Sequence, residues 1–170
     1  RQGDTTLRGA VVDAVTTRET LFFRDDSPFA ALRNKALPEI IDGNARTVYP
    51  KRLRFWSAAC SSGQEPYSLA ITLRELLDDV DTWDISILAT DLSDAALESA
   101  SNGIYSDFEM SRGVTPEIRK KYFHQVDGGW QINQNIRDMV TFQQRNLLEP
   151  FTDIGPFEVI FCRNVAIYFD

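Results

Sequence analysis

The sequence predicts an α/β protein built on a parallel sheet, and three observations carry that prediction. A short apolar run, residues 55–60, passes through Ser61, Ser62 and Gly63 into a helical pattern with Leu69, Ala70, Leu73, Leu76 and Leu77 at core spacing. A second apolar run, residues 84–91, ends in an acid and leads into another helical stretch, residues 95–100, which Ser93 or Asp94 can cap and Asn102-Gly103 can end. Strand-like runs return at residues 139–146 and 157–164. Strand and helix in this alternation make neighbouring strands parallel, joined by right-handed crossovers.

At 170 residues and 43% hydrophobic, the chain has enough material for one domain with a sizeable core. No apolar run long enough to span a bilayer and no charged-then-apolar leader is present, so a soluble, cytoplasmic protein without membrane insertion is expected. The net charge of −7 argues against nucleic acid as a partner, because phosphate contacts need concentrated Lys and Arg. Cys60 and Cys162 both lie in apolar runs without metal-ligand spacing and read as reduced, buried thiols. The single histidine, His124, has no Cys or carboxylate partners at metal spacing, and no metal site is predicted.

In chain order, residues 1–15 read as the remnant of a preceding helical domain or a linker, with residues 16–170 forming the main domain. The stretch 16–25 surrounds the pair Phe22-Phe23 with hydroxyl and charged residues, so the aromatics should bury while their neighbours face outward. Ser27-Pro28 opens a helix with Phe29, Leu32 and Ala36 on one face; Pro38 should interrupt or restart it before Asp42-Gly43-Asn44 closes it. Residues 104–138 break the strand–helix rhythm. There, Thr115-Pro116-Glu117 starts a short helix, and residues 122–126 and 130–133 flank Asp127-Gly128-Gly129 as a hairpin, giving a small inserted antiparallel subdomain. The sheet is expected to be truncated after its fourth strand, since an open sheet ending there would leave an apolar edge unpaired.

Ligands of parallel α/β sheets sit outside the carboxyl ends of the strands, which singles out residues 61–65, Asp91, Asn146 and Asn164. The small residues of the first turn let the backbone approach a ligand, and the helix start offers free N–H groups; the same pattern also suits a routine strand-to-helix crossover. An acid ending the second strand can accept hydrogen bonds from both ribose hydroxyls of an adenosine. The turn has one glycine instead of G-x-G-x-x-G, which argues against a pyrophosphate cradle and against NAD or FAD. An adenosine cofactor without a diphosphate is the better candidate.

Four blocks, residues 16–25, 56–69, 89–93 with Gly103-Ile104-Tyr105, and 161–169, resemble the CheR family of chemotaxis-receptor protein-glutamate O-methyltransferases. The resemblance covers nearly the whole chain, in family order and with family-like spacing. It implies a class I methyltransferase (Rossmann-like) fold and S-adenosylmethionine as cofactor, with S-adenosylhomocysteine as product. It implies cofactor-binding roles for Thr20, Arg24, Gly63, Glu65, Asp91, Asn146, Leu147, Arg163 and Asn164. Arg18 stands where many relatives have Asn and is a weaker cofactor contact. Arg24 and Tyr168 fall where the resemblance expects the catalytic groups, one at the substrate carboxylate and one close to the transferred methyl. The implied partners are the cytoplasmic helices of methyl-accepting chemotaxis receptors.

A glutamate carboxylate, with an ordinary pKa of about 4.3, is already an anion near neutral pH and needs no general base. Positioning and charge management remain, and Arg24 and Tyr168 suit them. Amine-directed methyltransferases commonly end the fourth strand with Asn/Asp-Pro-Pro-Tyr; Cys162-Arg163-Asn164-Val165 brings a cation instead, which suits an anionic substrate. The alternative is a catalytically inactive, methyltransferase-like module that binds the cofactor or docks on a receptor.

Overall fold

The computed structural model describes residues 20–165; the remnant or linker read at residues 1–15, Arg18 and Tyr168 lie outside them. In chain order, α1 (Asp26–Ala31), a π turn (Leu32–Ala36) and α2 (Leu37–Asn44) precede β1 (Arg52–Ala58) and α3 (Gln64–Leu76). A short 3-10 turn (Val80–Thr82) leads to β2 (Asp84–Asp91) and α4 (Asp94–Asn102). Next come β3 (Ile104–Tyr105), α5 (Asp107–Ser111), α6 (Pro116–Tyr122), β4 (Phe123–Val126), β5 (Gly129–Ile132) and α7 (Gln134–Arg137). β6 (Val140–Gln144) and β7 (Val159–Cys162) follow.

Among the described residues the main sheet has four parallel strands in the order β6-β2-β1-β7. β1 lies in its interior, paired with β2 from Arg52↔Asp84 to Ala58↔Thr90 and with β7 from Phe55↔Val159 to Ala58↔Cys162. Leu53 and Phe55 are fully buried. The strand begins before the apolar run because Arg52 and Arg54 alternate with them as half-buried positions, and it ends at Ala58 because Ala59 turns to a φ of 59°. α3 is buried from Pro66 through Leu73, the pattern of a helix packed on more than one side. Strand order reverses between β1 and β7: the chain leaves β1 toward β2 and β6 and returns on the other side. That is the switch point at which α/β sheets open a crevice.

The helix opening at Asp26 does restart at Pro38. The Leu37 N–H reaches back five residues to the Leu32 carbonyl, and α geometry resumes with Pro38 in its first turn, where a missing N–H is cheapest. Ser93 caps α4 by accepting from the Ala96 N–H at 3.1 Å, and Gly103 ends it with φ 63°. The antiparallel sheet, in the order β3-β5-β4, occupies the segment between α4 and β6. Tyr122 ends α6 instead of opening the hairpin, with its hydroxyl on the Glu75 carboxylate. One expectation fails: Cys60 is buried, but Cys162 is exposed. Among the described residues β7 pairs only with β1, and its Ile160 and Cys162 are exposed while Phe161 is buried. No helix among the described residues is long and apolar enough to cross a membrane.

Candidate active site

The turn after β1 is a strained loop that its neighbours hold. Ala59 and Ser61 have φ of 59° and 49°, a region that non-glycine residues keep only where surrounding contacts impose it. The Cys60 N–H donates to the Thr90 carbonyl at 2.9 Å, and the Gly63 N–H donates to the Cys60 carbonyl at 3.1 Å. The Ser61 N–H donates to Asp91 Oδ2 at 2.8 Å. Gly63 caps α3 with φ 93°, and a Cβ there would lie 2.9 Å from Ala100 Cβ and 3.1 Å from the Tyr105 hydroxyl oxygen. Its smallness therefore serves close packing of the turn against α4 and β3. The other non-glycine residues with positive φ among the described residues are Phe23, Asp25 and Asn164. All of them fall in segments that converge on this end of the sheet.

Asp91 ends β2 with its carboxylate facing the turn. Each of its oxygens accepts one backbone N–H, from Ser61 and from Ser93 at 2.8 and 2.9 Å, and each keeps a lone pair for another donor. Asn146 and Leu147 follow β6 beside it: the Arg145 N–H donates to the Asp91 carbonyl at 2.9 Å, and Asn146 Oδ1 accepts from the Leu148 N–H at 3.0 Å.

Arg163, just past β7, joins three segments. Its guanidinium donates to Glu65 Oε2 at 3.2 Å, to the Arg24 carbonyl at 2.6 Å and to Asp25 Oδ2 at 2.8 Å. Glu65, at the start of α3, also accepts from the Ser57 hydroxyl of β1 at 2.8 Å. Arg24, half-buried, sits in a loop pinned by the Phe23 N–H to Ser68 Oγ at 2.9 Å, and Phe22 packs edge-on against Tyr105. Burial pushes the Glu65 carboxyl above its ordinary value, while Ser57 and then Arg163 pull the other way. Burial, then the charges of Asp91 and Glu65, raise the Cys60 thiol well above its usual range, so Cys60 is a thiol and not a nucleophile.

The structure thus brings Glu65, Arg163 and the Arg24 backbone into contact, and Asp91 onto the turn. Thr20 is half-buried at the start of the described residues, and Asn164 is exposed with φ 55°. Ser57 and Asp25 were not singled out by sequence. The signal for Ser57 was present: it is a lone hydroxyl inside the apolar run 55–60, and a buried polar group needs a partner. His124 is exposed, with Nδ1 2.9 Å from Asn133 Oδ1. Ser61 Oγ is buried and has no hydrogen-bond partner among the described residues. A turn carrying such an orphaned hydroxyl beside an acid with spare lone pairs fits a polar ligand of adenosyl type.

The family model described as the CheR methyltransferase, SAM binding domain, matches residues 18–170. The chain belongs to the CheR methyltransferase family. It is similar to chemotaxis protein methyltransferase 1 of Pseudomonas aeruginosa, 46% identical over 96% of this chain and 60% of that protein. Chemotaxis protein methyltransferase 1 of Vibrio cholerae is 44% identical over 96% of this chain and 58% of its own length. Chemotaxis protein methyltransferase Cher2 of Pseudomonas putida is 44% identical, with 96% and 59% covered. The chain therefore spans somewhat under two thirds of the curated relatives it matches. The parallel sheet with its switch point and the small antiparallel sheet agree with a CheR domain of class I methyltransferase architecture.

Proposed function

We propose that the protein transfers a methyl group from S-adenosylmethionine to glutamate side chains of chemotaxis receptors, giving methyl esters, in the cytoplasm and on the receptors' cytoplasmic helices. The observation that carries this reading is the meeting of Arg163 with Glu65 and the Arg24 segment at the sheet's switch point. Arg163 is itself paired with Glu65 and Asp25, so its part is to hold the Arg24 segment beside the crevice, from which the Arg24 guanidinium can meet an anionic acceptor.

In this reading Asp91 holds the ribose hydroxyls and Glu65 the amino-acid end of the cofactor. Thr20, Gly63, Asn146, Leu147, Arg163, Asn164 and Arg18 complete the site. S-adenosylmethionine supplies, when bound, an electrophilic methyl on a sulfonium. The chain's own task is to orient a carboxylate that is already ionised. Arg24 holds it and limits the penalty of desolvating it, and Tyr168 orients the attacking oxygen. Arg24 works chiefly by direction, because neutralising the carboxylate too strongly would slow its attack.

The test is transfer of labelled methyl to a receptor cytoplasmic fragment, with release of the label as methanol in base as the mark of an ester. Arg24→Ala is expected to lower the rate at least ~10-fold with modest loss of cofactor affinity. Label that resists base would overturn the ester assignment. Cofactor binding without any transfer would favour a cofactor-sensing or receptor-docking module.

A further inference from the structure

The inserted antiparallel sheet reaches into the turn that follows β1. Tyr105, in β3, is 1% exposed, and its hydroxyl donates to the Ser62 carbonyl at 2.9 Å. Its ring lies edge-on to Phe22 at 4.8 Å and to Tyr67 at 6.4 Å between centroids. One side chain thus touches both the turn and the segment that carries Arg24. Its own backbone is set by close approach: a Cβ on Gly129 of β5 would lie 2.3 Å from the Tyr105 carbonyl oxygen. A second tie runs nearby, from Gln64 Nε2 to Glu109 Oε1 at 3.4 Å.

We propose that Tyr105 is a positioning residue for the cofactor turn, so that the inserted sheet helps template the site. The inference rests on reading that turn as the S-adenosylmethionine site. Ala59 and Ser61 keep left-handed φ only while the surroundings hold them. The Ser61 N–H to Asp91 bond holds one side of Ser61, and the Tyr105 hydroxyl holds the next carbonyl along. Without that hydroxyl the Ser62 peptide is released, the turn samples relaxed conformations, and a ligand must reorder it on binding.

The test compares Tyr105→Phe, which keeps the ring contacts, with Ile132→Val, a core truncation on β5 of the same sheet. Both are read by thermal unfolding, amide exchange and calorimetric binding of S-adenosylhomocysteine to the 170-residue chain. Tyr105→Phe is expected to weaken binding roughly three- to tenfold and to speed amide exchange at Ser61 and Gly63, whose N–H groups bond Asp91 and the Cys60 carbonyl. Ile132→Val, at a comparable loss of thermal stability, should leave affinity within about twofold. Wild-type affinity in Tyr105→Phe, or equal affinity losses in both variants, would overturn the proposal. Absence of binding by the folded wild-type chain would instead overturn the reading of the turn as the cofactor site.

Discussion

Arg163 donates to Glu65, to the Arg24 carbonyl and to Asp25 from a side chain that is 15% exposed. Arg163→Ala should therefore do more than remove a surface ion pair. It leaves Glu65 buried without its cation and the Arg24 carbonyl without its donor, a loss of about 1–3 kcal/mol. Urea unfolding reads that loss, and NMR titration should show the Glu65 carboxyl moving further upward, since Arg163 now holds it down. Gly63→Ala meets a different obstacle. With φ 93° and Ala100 Cβ only 2.9 Å from the added carbon, strain and overlap together should cost about 1–4 kcal/mol. An unchanged urea midpoint in this variant would contradict the packing role given to Gly63.

Among the elements, α4 depends on its cap: Ser93 is buried and accepts from the Ala96 N–H. Ser93→Ala should lower stability by about 1 kcal/mol, measured by chemical denaturation, with loosening of the first turn of α4 in amide exchange. The junction before β2 offers a pH test. Lys51 and Trp83 bond the Asp79 carboxylate and hold its pKa down at about 2, from an ordinary 3.8. A lowered carboxylate pKa contributes stability above the ordinary value and loses it as pH falls through the folded one. Asp79→Asn should therefore narrow the difference in thermal stability between neutral and strongly acidic solution. The effect is small, because the pair is exposed to solvent. Most element types were legible in the sequence: β2 matches its predicted span, and of the two caps the sequence offered, Ser93 and Asp94, the structure uses Ser93. α5 was missed although Ser106 and Glu109 form a capping box, because a five-residue helix has too few turns to show a periodicity.

Across the molecule, the pH response of the site runs opposite to that of Asp79. Glu65 has its pKa raised, first by burial, so its contribution to stability is complete below the ordinary glutamate value and is lost as pH rises through the folded one. Without ligand, wild-type stability should decline through that window more than Glu65→Gln, in urea midpoints compared at matched pH. The sequence by itself determined the α/β alternation, the acid at the end of β2, the single-glycine turn and the family, because apolar periodicity and motif spacing are local properties of the chain. Only the tertiary structure decided which neighbours those residues meet. Arg163 lies far along the chain from Glu65 and Asp25, Tyr105 reaches Ser62 from a separate sheet, and Cys162 is exposed where Cys60 is buried. Such pairings depend on strand order and on the close approach of separate layers. A hydroxyl or guanidinium finds its partner only after the backbone has folded, and no local pattern encodes that meeting.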